Sequence, residues 1–181
     1  VNEIDQSSNL IYMLSKEKYT EGETLLCQED VVEASLPFLK TLTNELLIEC
    51  FSTKYDNGNY PLFYPGVLKK MLPLLSNRDY DSFITLLKLQ NATKETVLHK
   101  AVFLKILVPY LQGLYVKNDS ACVVKLLSQK DTNGNTPLHY QANVELAIPL
   151  LGILSSNDLE YLMEIQNRSG ETPYEHVCTL N

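Results

Sequence analysis

The chemistry this sequence could perform starts from its three histidines, His99, His139 and His176. Three imidazoles can ligate a zinc ion, and a single one can act as a general base. The cysteines Cys27, Cys50, Cys122 and Cys178 are the candidate nucleophiles. A thiol attacks only when it is exposed and its thiolate is stabilised, commonly by a neighbouring imidazole. Cys178 and His176 are close in sequence, but residues two apart on a helix point in different directions. No pair of cysteines has C-x-x-C spacing, and each sits among apolar neighbours, as reduced core thiols do. No P-loop, G-x-G-x-x-G, H-E-x-x-H or G-x-S-x-G occurs. We therefore expect no catalytic residue, no metal and no cofactor, and a reducing, cytoplasmic compartment.

The elements that carry these residues follow from an internal repeat. Five short segments align: Glu-Thr-Leu-Leu at 23–26, Asn-Tyr-Pro-Leu at 59–62, Glu-Thr-Val-Leu at 95–98, Asn-Thr-Pro-Leu at 135–138 and Glu-Thr-Pro-Tyr at 171–174. Their anchors, Thr24, Tyr60, Thr96, Thr136 and Thr172, are 36, 36, 40 and 36 residues apart. Thirteen residues after the first four anchors stand Pro37, Pro73, Pro109 and Pro149, each in an apolar frame. Thirteen residues before the last four stand Leu47, Phe83, Val123 and Leu159. The odd spacing of 40 is thus a four-residue insertion within about Gln112–Asp119, expected in a loop.

Two residues before the anchors come Gly22, Gly58, Lys94, Gly134 and Gly170. Glycine suits a tight turn at positive φ, so the turn holding Lys94 should be strained or built differently. Five residues before the anchors are Tyr19, Tyr55, Asn91, Asp131 and Asn167, the later ones able to close an Asx-type turn. Leu47/Cys50/Phe51, Phe83/Leu86/Leu87, Val123/Leu126/Leu127 and Leu159/Leu162/Met163 fall at i, i+3, i+4, one face of a second helix in each repeat. Ser8 to Ser15, with Ile11 and Leu14, repeats that pattern. A first helix surrounds each proline, which either bends it or opens it; bending is the expectation. The boundaries are a half repeat at 1–18, repeats at about 19–54, 55–90, 91–130 and 131–166, and a partial one at 167–181. One helix pair cannot bury its own apolar face; stacked pairs can, giving an all-α solenoid of helix pairs joined by tight turns.

Asp131-Thr-Asn-Gly-Asn-Thr-Pro-Leu-His139 resembles the ankyrin signature D-x-x-G-x-T-P-L-H at every defined position. Asn91–His99 and Asn167–Tyr174 are looser copies, and the resemblance covers most of the chain. The period of 36 rather than 33, the missing Ala-Ala pair after the histidine and the recurring proline all depart from that family. The resemblance implies that the histidines sit at a turn-to-helix junction and hydrogen-bond backbone. Equivalent positions in successive layers would be about 10 Å apart, too far to share one zinc. Cys27 and Phe63 occupy the same slot, which also speaks against a ligand. In style the degenerate units are similar to ankyrin effectors of intracellular bacteria, which would imply secretion into a host cytosol.

Composition narrows the partner. With 45% hydrophobic and 20% charged residues the chain is that of a folded protein. No apolar run reaches the roughly 18 residues needed to span a bilayer, so no membrane insertion is expected. Val1 to Gln6 is polar and acidic, unlike a signal or transit peptide, and the missing initiator Met leads us to expect a piece excised from a longer chain. The triplets at Asn91, Asn118 and Asn167 match a glycosylation sequon and are read as incidental. The net charge of −7 argues against nucleic acid, as does the scatter of the 11 tyrosines. Charge is uneven: −7 over residues 1–56, +6 over 57–130 and −6 over 131–181. A basic middle can steer an acidic protein partner to the centre of the array.

The expected function is protein binding through turn tips and the adjoining face of the first helices. The candidates on the turns are Asp56, Asn57, Asn59, Lys94, Glu95, Asn133, Asn135, Arg168 and Glu171. Tyr64, Lys100 and Tyr140 follow on the first-helix side. Two other classes stay open: a substrate-positioning scaffold within a larger protein-modifying enzyme, and an inhibitor or chaperone of another protein.

Overall fold

In a computed structural model of the chain, residues 3–16, 23–78, 80–117 and 120–178 are described. Tyr19 and Gly22, and the side chains of His176 and Cys178, lie outside the described set. Among the described residues all regular structure is helical, with no strand. The helices are α1 (Glu3–Ser15), α2 (Glu29–Leu39), α3 (Asn44–Phe51), α4 (Pro65–Ser76), α5 (Tyr80–Leu87), α6 (Ala101–Lys117), α7 (Ser120–Leu127), α8 (Gln141–Leu151), α9 (Ser156–Met163) and α10 (Pro173–Cys178). Single 3₁₀ turns at Leu25–Cys27, Pro61–Phe63, Val97–His99 and Pro137–His139 directly follow the first four anchors. The chain falls into two compact halves, Val1–Ala92 and Thr93–Asn181.

Within the N-terminal half, α2 packs on α4, α3 on α5, and α1 on α3. Leu26, Leu47, Phe51, Leu62, Leu68, Met71 and Leu87 are buried there. Within the C-terminal half, α6 packs on α8, α7 on α9, and α10 on both α8 and α9. Leu98, Leu104, Leu111, Leu127, Leu138 and Leu150 form its core. Like helices thus lie beside like, and the i, i+3, i+4 marks of α3, α5 and α7 are all buried. Thr43 caps α3 by accepting from Leu46 N, and Ser155 caps α9 by accepting from Asp158 N.

Pro37, Pro73, Pro109 and Pro149 lie inside α2, α4, α6 and α8 rather than opening them. A proline lacks an N–H, so the carbonyl four residues back has no helical donor. Those carbonyls belong to Glu33, Lys69, Lys105 and Glu145, all exposed, as are the four prolines themselves. Water can satisfy the freed acceptors, and so four prolines are tolerated at one offset.

The insertion corrects an expectation. From Gln112 to Lys117 it is helix and not loop: α6 runs unbroken for 17 residues, where α2 and α8 stop at 11. Four residues make about one helical turn, so Leu111 stays buried and Leu114 and Tyr115 stay half-buried along the same stripe. Gly113, with no heavy atom near its Cβ direction, is the weakest helix former in the added turn.

Arg78 closes the other end of the N-terminal half. Its Nη1 donates to Leu42 O (2.7 Å) and Asn44 Oδ1 (3.0 Å), and its Nη2 to Leu39 O (3.1 Å) and Lys40 O (2.9 Å). A guanidinium is suited to this: its planar fork meets several carbonyls at once, and its charge complements the negative end of α2.

Candidate functional site: the turn tips

Three of the tips are built the same way. Gly58 N donates to Tyr55 O while Tyr55 N donates to Asn59 O, and the pattern recurs as Gly134–Asp131–Asn135 and Gly170–Asn167–Glu171. The glycine closes a four-residue turn at φ +80 to +83 (Gly58 81°, Gly134 80°, Gly170 83°), a region that costs other residues about 1–2 kcal/mol. Lys94 adopts φ 59 at the matching position, so that turn keeps the conformation and carries the strain. The Asx side chains work as expected: Asp131 Oδ1 accepts from Asn133 N and Asn135 N, and Asn167 Oδ1 from Ser169 N and Glu171 N.

Below the tips, the histidines turn inward. Thr96 N donates to His99 Nδ1 (3.0 Å), so Nδ1 is bare and Nε2 holds the proton, which it donates to Asn135 O (3.2 Å). His139 repeats this with Thr136 N (2.9 Å) and Glu171 O (3.1 Å). Each imidazole is a buried brace that ties one 3₁₀ turn to the next tip. Among the described residues no three His, Cys, Asp or Glu groups converge to hold a metal.

Burial holds His99 below the usual imidazole range, with the Asn135 carbonyl and the Asp131 charge pulling the other way. Burial also opposes ionisation of Asp131, but hydrogen bonds from Tyr140 and from the N–H groups of Asn135 and Asn133 outweigh it and lower its pKa. Both shifts have the same sign for stability. A group whose folded pKa is depressed contributes fully above its unfolded value and loses that contribution as pH falls through the folded one. Urea midpoints are therefore expected to decline below about pH 6.5 as His99 is protonated, and again below about pH 4 through Asp131. His99→Phe, which copies Phe63 in the same slot, should flatten the first decline while lowering stability at pH 7.

In the N-terminal half the structure brings Asn57 and Tyr64 together against Glu23: both the Tyr64 hydroxyl and Asn57 Nδ2 donate to Glu23 Oε1. Asn57 Oδ1 accepts from Asn59 N, and Asp56 is exposed beside them. Burial, with Glu23 beside it, pushes Tyr64 up to about 12.

In the C-terminal half three tips are tied side by side. Thr132 N donates to Thr93 O (2.9 Å), and Arg168 N to Asn133 O (3.0 Å). Asn167 Nδ2 bridges Asn135 Oδ1 and Glu171 Oε2 (both 2.9 Å). Lys100 pairs with Glu95 at 2.6 Å, and the Tyr140 hydroxyl donates to Asp131 Oδ2 at 2.6 Å. Burial and the Asp131 carboxylate push Tyr140 up to about 12. Lys94, Lys100, Asn133, Arg168 and Glu171 remain exposed.

Sequence reasoning missed Glu23 and Asp131 as tethers. The offsets held a signal: Tyr64, Lys100 and Tyr140 each stand four residues after an anchor, and each reaches an acid of a tip. Cys50 is buried, Cys27 and Cys122 are half-buried, and all three are free thiols. Burial pushes Cys27 up to about 12 and Cys50 up to about 11, the wrong direction for nucleophiles. The chain matches no protein-family model and no curated protein. No helix among the described residues is long and apolar enough to cross a membrane.

Proposed function

We propose that the chain is an ankyrin-like binding module that holds a protein partner on its turn tips and the starts of its first helices. The observation that carries this reading is the hydrogen-bonded row of tips in the C-terminal half, which fixes Lys94, Asn133 and Arg168 relative to one another. A surface ordered before binding loses little conformational entropy on capture, so modest polar contacts suffice for affinity. Lys94 and Lys100 supply the positive charge that selects an acidic partner.

The test is a pull-down with mass spectrometry from source-organism and host-cell lysates, followed by titration of the recovered partner. Lys94→Glu with Lys100→Glu is expected to weaken capture by about tenfold or more. Lys100→Gln, which avoids a new repulsion against Glu95, should give a smaller loss. Unchanged affinity in the double variant would remove both lysines from the site.

A further inference from the structure

We propose that the groove between α9 and α10 is a docking site for a basic amphipathic helix of a partner protein. The groove uses none of the turn-tip residues and does not rest on the reading given for them.

Its floor is apolar. Leu159 and Met163, one turn apart on α9, are half-buried, and Tyr174 on α10 is 61% exposed. Together they line a space of about 610 Å³. The groove lies on the face of α9 that the earlier second helices bury. The residues matching Leu159 and Met163 on the earlier second helices are Leu47/Phe51, Phe83/Leu87 and Val123/Leu127, each at most 1% exposed. In both halves, second helices pack side by side, α3 on α5 and α7 on α9. On α9 the same two apolar marks are only half-buried.

The rim sets the chemistry of the occupant. Glu160, Glu164 and Glu175 line the groove, and no Lys or Arg among the described residues does. Glu160 and Glu164 stand at i, i+4 on α9, a like-charge pair that is mildly destabilising until a cation approaches. An occupant with an apolar stripe flanked by Lys or Arg would bury the floor and neutralise the rim together. A second copy fits less well. The apolar residues exposed on its α1, Leu10, Tyr12 and Met13, belong to a helix whose sequence, Glu3–Ser15, holds no Lys or Arg to meet the acidic rim.

The test uses two synthetic stapled helices with the same leucine stripe, one flanked by lysines and one by glutamates, titrated against the full natural chain by fluorescence anisotropy. The lysine-flanked peptide is expected to bind at least about tenfold more tightly, with a preference that shrinks as salt rises. Glu160→Lys with Glu164→Lys should erase the preference, and Tyr174→Ala should weaken binding by about fivefold or more, with circular dichroism melts showing that both variants stay folded. Equal affinity for the two peptides, or no binding of either, overturns the proposal. Self-association in sedimentation that disappears in Tyr174→Ala would assign the groove to a second copy and overturn it too.

Discussion

His139→Ala is expected to lower the stability of the chain by about 3 kcal/mol, seen as a fall of about 10 °C in Tm by circular dichroism. The imidazole is 5% exposed and engages three groups at once: Thr136 N and Thr136 Oγ1 at Nδ1, and Glu171 O at Nε2. Alanine strands the backbone N–H of buried Thr136, costing about 1–3 kcal/mol where water cannot reach, takes one of two donors from the Glu171 carbonyl, which keeps Asn167 N, and leaves a void where the ring stood. Thr136→Val removes only the hydroxyl and should cost about 1 kcal/mol. The ordering of the two variants is the check. If they cost the same, the histidine fills space and braces nothing.

That brace was half legible in the sequence. The spacing of Thr and His, three residues apart after a turn, is the pattern of a reciprocal cap, and the structure contains it at Thr96–His99 and Thr136–His139. The other end of each bridge, the carbonyl of Asn135 or Glu171, belongs to a residue more than thirty positions away, and a backbone acceptor leaves no trace in residue type. Asn143 shows the same limit. It stands seven residues after an anchor, where Val67 and Phe103 stand elsewhere, and so reads as a polar intruder in an apolar slot. In the fold it is 1% exposed and donates to Leu98 O and Pro137 O, stitching two 3₁₀ turns together. The insertion failed for a different reason. Period counting reports how many residues are added but not their conformation, and one helical turn is as long as a short loop. Helices and turns, by contrast, are set by local pattern, and so they could be read directly.

The tip glycines allow strain and crowding to be measured separately, because they share one backbone conformation and differ in neighbours. Gly170 has φ 83 and no heavy atom within 4 Å of an added Cβ, so Gly170→Ala should cost only the strain, about 1 kcal/mol. Gly134 has φ 80, but its Cβ would lie 2.9 Å from Arg168 N. That atom is backbone and cannot rotate away, and it donates the hydrogen bond to Asn133 O that ties the last two tips together. Gly134→Ala is therefore expected to cost about 3 kcal/mol, strain plus the lost tie. Gly58, whose Cβ would meet Ala92 Cβ at 2.6 Å, should behave like Gly134. Lys94 runs the experiment in reverse. Lys94→Gly relieves about 1–2 kcal/mol of left-handed strain but adds unfolded-state entropy worth about half of that, for a net gain of roughly 0.5–1 kcal/mol. Urea melts of the four variants are the measurement. A Lys94→Gly chain that is more stable yet captures its partner less well would show that the lysine stands at this position for its charge and against the preference of the turn. A less stable one would mean that the lysine side chain makes contacts worth more than the strain it bears.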